Sequence, residues 1–191
     1  MPNLKDALNN EYVKSALLLA VILVIIVALW FGFKAYLRTE YPMLAVASGS
    51  MVPTLNVGDL IIVQGGLNVS DINAAQGTGD IIVFHKPYNP NELIVHRAVE
   101  EEANGLTTKG DHNPTIDPWT VYDSDLVGKV VWVIPYVGHV PLFVHTPTGL
   151  SVIVILIVIL ILLEFVVPLV KKKEEVKQPP DEATTPDINS L

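Results

Sequence analysis

The residues of this chain whose types and spacing could do covalent chemistry begin with Ser50, in Ala47-Ser48-Gly49-Ser50-Met51-Val52-Pro53-Thr54-Leu55. Gly49 frees the backbone beside the serine and Pro53 holds the turn that follows, so Ser50 can be presented with its amide N–H exposed. A serine nucleophile and its oxyanion hole need that arrangement. A hydroxyl also needs a base, and His96 sits in Glu92-Leu93-Ile94-Val95-His96-Arg97-Ala98, a strand-like run. Alternation places it on the face of Ile94 and Ala98 and sends Arg97 to the other. Asp111 and Asp117 follow in the turn-rich Thr108-Lys109-Gly110-Asp111-His112-Asn113-Pro114-Thr115-Ile116-Asp117, directly after an expected hairpin partner of the His96 strand. Either carboxylate can orient an imidazole and stabilise its charged form. Singly, each piece has an ordinary explanation: Ser-Gly-Ser is loop composition, a lone strand histidine usually packs, and aspartates are turn residues.

Other candidates lose on position. His85 and Lys86 end a strand just before Pro87, Lys109 lies in a turn beside Gly110, and His139 and His145 adjoin a long apolar run. The 191 residues contain no cysteine, which removes thiolate metal sites and a cysteine nucleophile together. With no His-x-x-x-His helix either, zinc is not expected, and no cofactor is. Net charge is −8, and Lys86, Arg97 and Lys109 are the sole cations between Glu40 and Asp125. That balance argues against a nucleic-acid partner.

The elements that must position these residues are flanked by two apolar runs. Residues 15–33 carry no charge and amount to about 28 Å of helix, close to the roughly 30 Å hydrocarbon core. The run is too long for a cleaved leader, and Ala45-Val46-Ala47, which has the form of a cleavage site, lies too far beyond it. Residues 150–170 are apolar except for Glu164 and end in Lys171-Lys172-Lys173, like a stop-transfer segment. Lysines at 5, 14, 171, 172, 173 and 177 outweigh Lys34 and Arg38 at the flanks of the middle segment, which places both tails in the cytoplasm by the positive-inside rule. The expected organisation is a cytoplasmic tail over 1–14, a transmembrane helix over 15–33, an outward-facing domain over 34–147, a second transmembrane helix over 150–170, and a disordered cytoplasmic tail over 171–191. Within the middle domain, runs rich in Val and Ile recur over 59–64, 80–85, 92–100 and 125–134, bounded by turn residues. The fold class expected is a mainly β catalytic domain flanked by two transmembrane α-helices. The loop from Gln64 to Gly79 is expected to vary without harm to the core, and Asn68-Val69-Ser70 within it fits a glycosylation sequon.

Taken together, the motifs resemble the type I signal peptidases over roughly residues 30–133. Ser48-Gly49-Ser50-Met51-Val52-Pro53-Thr54 looks like that family's nucleophile box, Gly79-Asp80-Ile81-Ile82-Val83-Phe84 like its next strand, Ile94-Val95-His96-Arg97 like the base strand, and Gly110-Asp111-His112-Asn113 with Asp117 like the acidic box. A histidine before the arginine, where the bacterial branch has lysine, is similar to the archaeal and endoplasmic-reticulum branch. His112 stands where that branch commonly has asparagine. The resemblance implies a Ser-His-Asp endopeptidase at the outer membrane face, with Ser50 as nucleophile, His96 as base, Asp117 as its partner and Asp111 as a second acid. Ser48 would join the Ser50 N–H in the oxyanion hole. It further implies secretory preproteins with signal peptides as substrates, cut after small residues in an Ala-x-Ala-like pattern, with the lipid bilayer and the protein-export translocon as partners. A noncatalytic membrane-anchored β module that binds export partners is the competing reading, and a Ser-Lys enzyme using Lys86 or Lys109 a further variant.

The lysine bias makes the topology testable. Protease added to sealed, right-side-out vesicles is expected to digest residues 40–146 and spare both termini; protection of that segment would invert the orientation.

Overall fold

A computed structural model describes residues 11–175, in two compact units, one running to Leu142 and the other from Phe143. The first opens with helix α1, Glu11–Leu37. Apart from Leu37 at its end, its apolar side chains are exposed or half-buried all round, and Val13–Leu37, whose most apolar 18 residues have a mean hydropathy of 3.0, is long and apolar enough to cross a membrane. The helix outruns the uncharged stretch on both sides. Once nucleated, each further residue adds a backbone hydrogen bond whatever its side-chain polarity, so Lys14 and Lys34 do not end it. It stops where Arg38 turns to a φ of 51°.

Seven antiparallel strands follow: β1 (Met43–Ala45), β2 (Leu60–Gln64), β3 (Ile81–Lys86), β4 (Asn89–Glu102), β5 (Gly105–Lys109), β6 (Thr120–Val121) and β7 (Leu126–Ile134). They form one sheet in the order β1-β2-β7-β3-β4-β5-β6. The central β3 is buried on both faces, which is why Ile82-Val83-Phe84 reads as continuous rather than alternating hydrophobicity. Val83 packs with Val46, Met51, Leu55, Ile61 and Val63. On the other side, Ile82 and Phe84 pack with Ile72, Ala98, Leu106 and Val121.

The four expected strand runs correspond to β2, β3, β4 and β7, and β5 is the anticipated hairpin partner of β4. β1 and β6 escaped the pattern because two or three residues are too few to show alternation. β4 starts earlier than the composition suggests, at Asn89, and accommodates Pro90 because the β5 pairing begins only at Arg97. The loop after Gln64 is a correction. It holds a short 3₁₀ turn, Val69–Asp71, and buries Ile72 in the core. Its backbone is also tied down, Ala75 N–H donating to Ala98 O and Val69 N–H to Asp123 Oδ1.

After the sheet comes a short helix α2, His139–Val144, and then α3, Pro147–Glu175, in the second unit. Of α3, side chains are described to Leu163, and this apolar part, Pro147–Leu163, is shorter than α1. Among the described residues α1 alone has the length and composition of a span. Residues 1–10 and 176–191, with Lys5, Lys177 and most of the expected tails, lie outside the described residues, as does the side chain of Glu164.

One ion pair gathers the loops around the sheet. Arg97 on β4 donates from Nε to Asp111 Oδ1 at 2.8 Å and from Nη2 to Asp111 Oδ2 at 2.6 Å, while its Nη1 donates to Gly79 O at 2.6 Å. Thr54, four residues past Ser50, donates its hydroxyl to the same carboxylate. Four separate segments thus meet at one guanidinium. Both side chains are largely buried, and the Arg97 hydrogen bonds hold the Asp111 carboxyl below its ordinary range. A lowered folded-state value stabilises the fold above the unfolded carboxylate's range and fades as pH falls through it, which begins below about pH 3.9. Asp111→Asn leaves the guanidinium without a counter-charge and is expected to cost on the order of 3 kcal/mol near neutral pH. Unfolding followed against pH checks this: the gap between wild type and variant should narrow below about pH 3.9. Equal stability at neutrality would show that the pair holds nothing together.

Candidate active site

Ser50 lies in a turn that another turn grips. The carbonyl of Ser50 accepts the His112 N–H at 2.8 Å, and Asn113 N–H closes on Gly110 O at 2.9 Å. Position 110 must be glycine for this, since a Cβ there would stand 2.7 Å from Ser50 O. Met51 and Leu55, on either side of Thr54, are sunk in the core and fix the segment from below. Ser50 itself stays half-buried, and among the described residues its N–H has no hydrogen-bond acceptor. Ser48 is exposed, with its Oγ 3.4 Å from Ser50 Oγ. A free N–H and a neighbouring hydroxyl beside a serine are donors of the kind an oxyanion needs.

His96 stands on β4 opposite Ile82 of β3, and Ile94 opposite Phe84, so it occupies the face assigned from alternation. It is 7 % exposed. Its Nδ1 is 2.6 Å from Asp117 Oδ2, and Thr108 on β5 donates its hydroxyl to that same oxygen at 2.6 Å. Thr108 and Asp117 are buried too, and Asp117 N–H donates to Thr108 O, so the carboxylate is held from both backbone and side chain. An ionised carboxylate only accepts, so Nδ1 carries the proton and Nε2 is left as the acceptor.

The two aspartates therefore do different things. Asp117 faces the imidazole; Asp111 faces Arg97 and Thr54 and makes no hydrogen bond to His96. Thr108 was not singled out from the sequence, where a threonine in a short strand carries no signal of its own. What reveals it is the β4–β5 register, which puts Thr108 across from Ala98, two residues from His96.

Ser48, Ser50 and His96 line one groove of about 390 Å³, with Asn113 at its side. Its walls are two strand edges. β1 ends the sheet and pairs with β2 alone, and β4 up to His96 pairs with β3 alone. Both edges carry backbone groups that an extended peptide could satisfy. Among the described residues no hydrogen bond joins Ser50 to His96; catalytic contacts of this kind commonly tighten only when substrate is bound. Neither lysine reaches the groove. Lys86 pairs with Glu92 at 2.9 Å, and Lys109 lines a separate cavity with Arg97 and Asp111. His85 bonds Pro90 O through Nδ1, and His139 packs under Gly58. No cluster of three or more His, Asp or Glu side chains that could hold a metal ion occurs among the described residues.

The model of a known family, "Signal peptidase, peptidase S26", matches residues 10–100, a span that includes Ser50 and His96 and stops short of both aspartates. The chain is also similar to curated proteins named "Signal peptidase complex catalytic subunit SEC11". The one from Chaetomium globosum is 30% identical over 138 residues, covering 66% of this chain and 77% of the relative. That from Schizophyllum commune is 32% identical over 133 residues, covering 58% and 68%. A third, from Pyrenophora teres f. teres, is 29% identical over 156 residues, covering 74% and 86%. On these matches this chain belongs to the signal peptidase family of serine endopeptidases, in the branch of the SEC11 catalytic subunits.

Proposed function

We propose that this chain cuts signal peptides from secretory preproteins, with Ser50 attacking the scissile carbonyl and His96 as general base. The observation that supports this most is the shared groove: Ser50 and His96 line it together, and His96 is backed by a buried carboxylate. In the reaction, Nε2 of His96 takes the Ser50 hydroxyl proton as Oγ bonds to the carbonyl carbon. The oxyanion receives the Ser50 N–H and the Ser48 hydroxyl. Protonated His96, stabilised by Asp117, then gives its proton to the leaving amine, and water repeats the cycle on the acyl-enzyme. Asp117 positions the imidazole and Asp111 braces the Ser50 loop through Arg97 and Thr54.

The substrate lies extended between the edges of β1 and β4. In a strand the first and third residues before the cut point to one side, here toward the apolar wall formed by Val46, Met51 and Val95 beside the groove. Small side chains at those two positions suit a wall that close to the nucleophile. With α1 in the bilayer and the sheet on the extracytoplasmic side, enzyme and preprotein share the membrane plane, which raises their effective concentration. The relatives are named as subunits of a signal peptidase complex, and membrane-embedded partner subunits are part of the same reading, as is a second span over residues 150–170.

Ser50→Ala is expected to abolish precursor processing in detergent while folding and insertion persist, and Ser48→Ala to lose on the order of a hundredfold in turnover. A fully active Ser50→Ala would remove Ser50 from the reaction, and an unaffected Ser48→Ala would return that residue to a turn role. Turnover measured against pH separates a histidine from a lysine base. An imidazole base loses activity on the acid side as it becomes imidazolium, which cannot accept the serine proton, whereas a lysine base puts that limb at higher pH. His96→Ala should leave little processing, and Lys86→Ala and Lys109→Ala most of it. Loss in a lysine variant with His96→Ala still active would move the base to lysine.

A further inference from the structure

The end of α1 is clamped to the sheet. Leu37, its last residue, is 6 % exposed, and its carbonyl accepts the Gly65 N–H at 2.8 Å. Arg38 then folds over Gly65 and Gly66. A Cβ on Gly65 would lie 2.5 Å from Arg38 O and 2.8 Å from Val127 O; one on Gly66, whose φ is 69°, would meet the Arg38 side chain at 3.0 Å. The two glycines are the seat into which the helix terminus fits.

That seat lies one residue past the end of β2, and the other end of β2 carries the nucleophile segment. β1 pairs with β2 from Met43↔Ile62 to Ala45↔Leu60, and the ladder continues with Val46 N–H donating to Asp59 O. Two residues later comes Ser48. From Gly65 back to Leu60, β2 is thus a strut about 17 Å long. One of its ends holds the helix and the other holds the Ser48–Ser50 turn. The strut is stiffened on both sides, since β2 also pairs with β7 along its whole length.

We infer that the Leu37–Gly65–Gly66 junction and β2 set a fixed offset between the bilayer-embedded helix and Ser50, and that this offset selects which peptide bond of a membrane-inserted substrate is cut. The inference rests on the proposed function, with α1 in the bilayer and a preprotein as substrate. Such a substrate carries an apolar segment whose depth the hydrocarbon layer fixes. With both the segment and the nucleophile held relative to the membrane, one bond at a set distance beyond the apolar segment is presented. Leu37, Gly65 and Gly66 are specificity-determining through position and touch neither substrate nor reacting atoms.

The test uses the full chain in lipid vesicles and a precursor carrying two Ala-x-Ala sites three residues apart, about 10 Å in extended chain. Product N-termini are identified by mass spectrometry. Wild type is expected to use one site. Inserting Gly-Ser-Gly-Ser between Ala35 and Tyr36 leaves the Leu37–Gly65 seat intact but adds a flexible tether of roughly 14 Å. The ratio of the two products should shift about tenfold, the scale of about 1.4 kcal/mol between competing barriers. Cleavage of a short soluble peptide without an apolar segment should stay as in wild type, a result that a merely destabilised enzyme would not give. Gly65→Ala, which displaces the helix end, should move the ratio the same way. An unchanged ratio in the insertion variant overturns the inference while leaving the proteolytic function standing. A wild type that cuts neither precursor nor peptide removes the proposed function, and the inference with it.

Discussion

The site depends on a strand that changes partners partway along its length, β3 pairing with it from Asn89 to Arg97 and β5 from Arg97 to Glu102. β4 runs from Asn89 to Glu102, but β5 joins it only from Arg97 onward. On the near side of that boundary the strand is held by β3 and offers its other edge to the groove; on the far side that edge is taken by β5. His96 is the last residue before the boundary. Its backbone is therefore as rigid as sheet structure, while its ring reaches the groove on one side and the Thr108–Asp117 pair on the other. A fully paired β4 would have covered the groove, and an unpaired one would have left the imidazole without fixed neighbours.

Open strand edges invite association with other chains, and this sheet limits the risk at each one. β1 is three residues long, and the early part of β4 carries Pro90 and the charged Glu92. The Arg97–Asp111 pair then ties together the elements that flank the opening. Because it collects Gly79, Thr54 and the Gly110 turn at one guanidinium, the Ser50 loop is referenced to the same strand that carries the base. Adjacent residues of β4 thus serve opposite faces: His96 carries the imidazole, and Arg97 holds the frame around it.

Much of this was legible in the residues. The uncharged run over 15–33 announced α1, because an apolar stretch of that length has few other stable fates. The central strands were visible as Val- and Ile-rich runs between turn residues, and alternation alone put His96 on the face of Ile94. Ser50 stood out through Gly49 and Pro53. The short strands β1 and β6 were not visible, since their existence is decided by partners far away in sequence. The role of the loop after Gln64 was misjudged for the same reason: nothing local shows that Ile72 fills a space between β3, β4 and β5.

The two aspartates mark the boundary between the kinds of information. By itself the sequence determined that a serine, a histidine and a pair of acids lie in segments able to present them, next to an apolar helix, because backbone freedom, strand period and hydrophobic length are local properties. It left Asp111 and Asp117 equivalent. Tertiary structure separated them: the β4–β5 register and the turn at Gly110 send one carboxylate to the imidazole and the other to Arg97. Which charge meets which partner is set by contacts between residues distant in the chain, and those exist only once the sheet has closed.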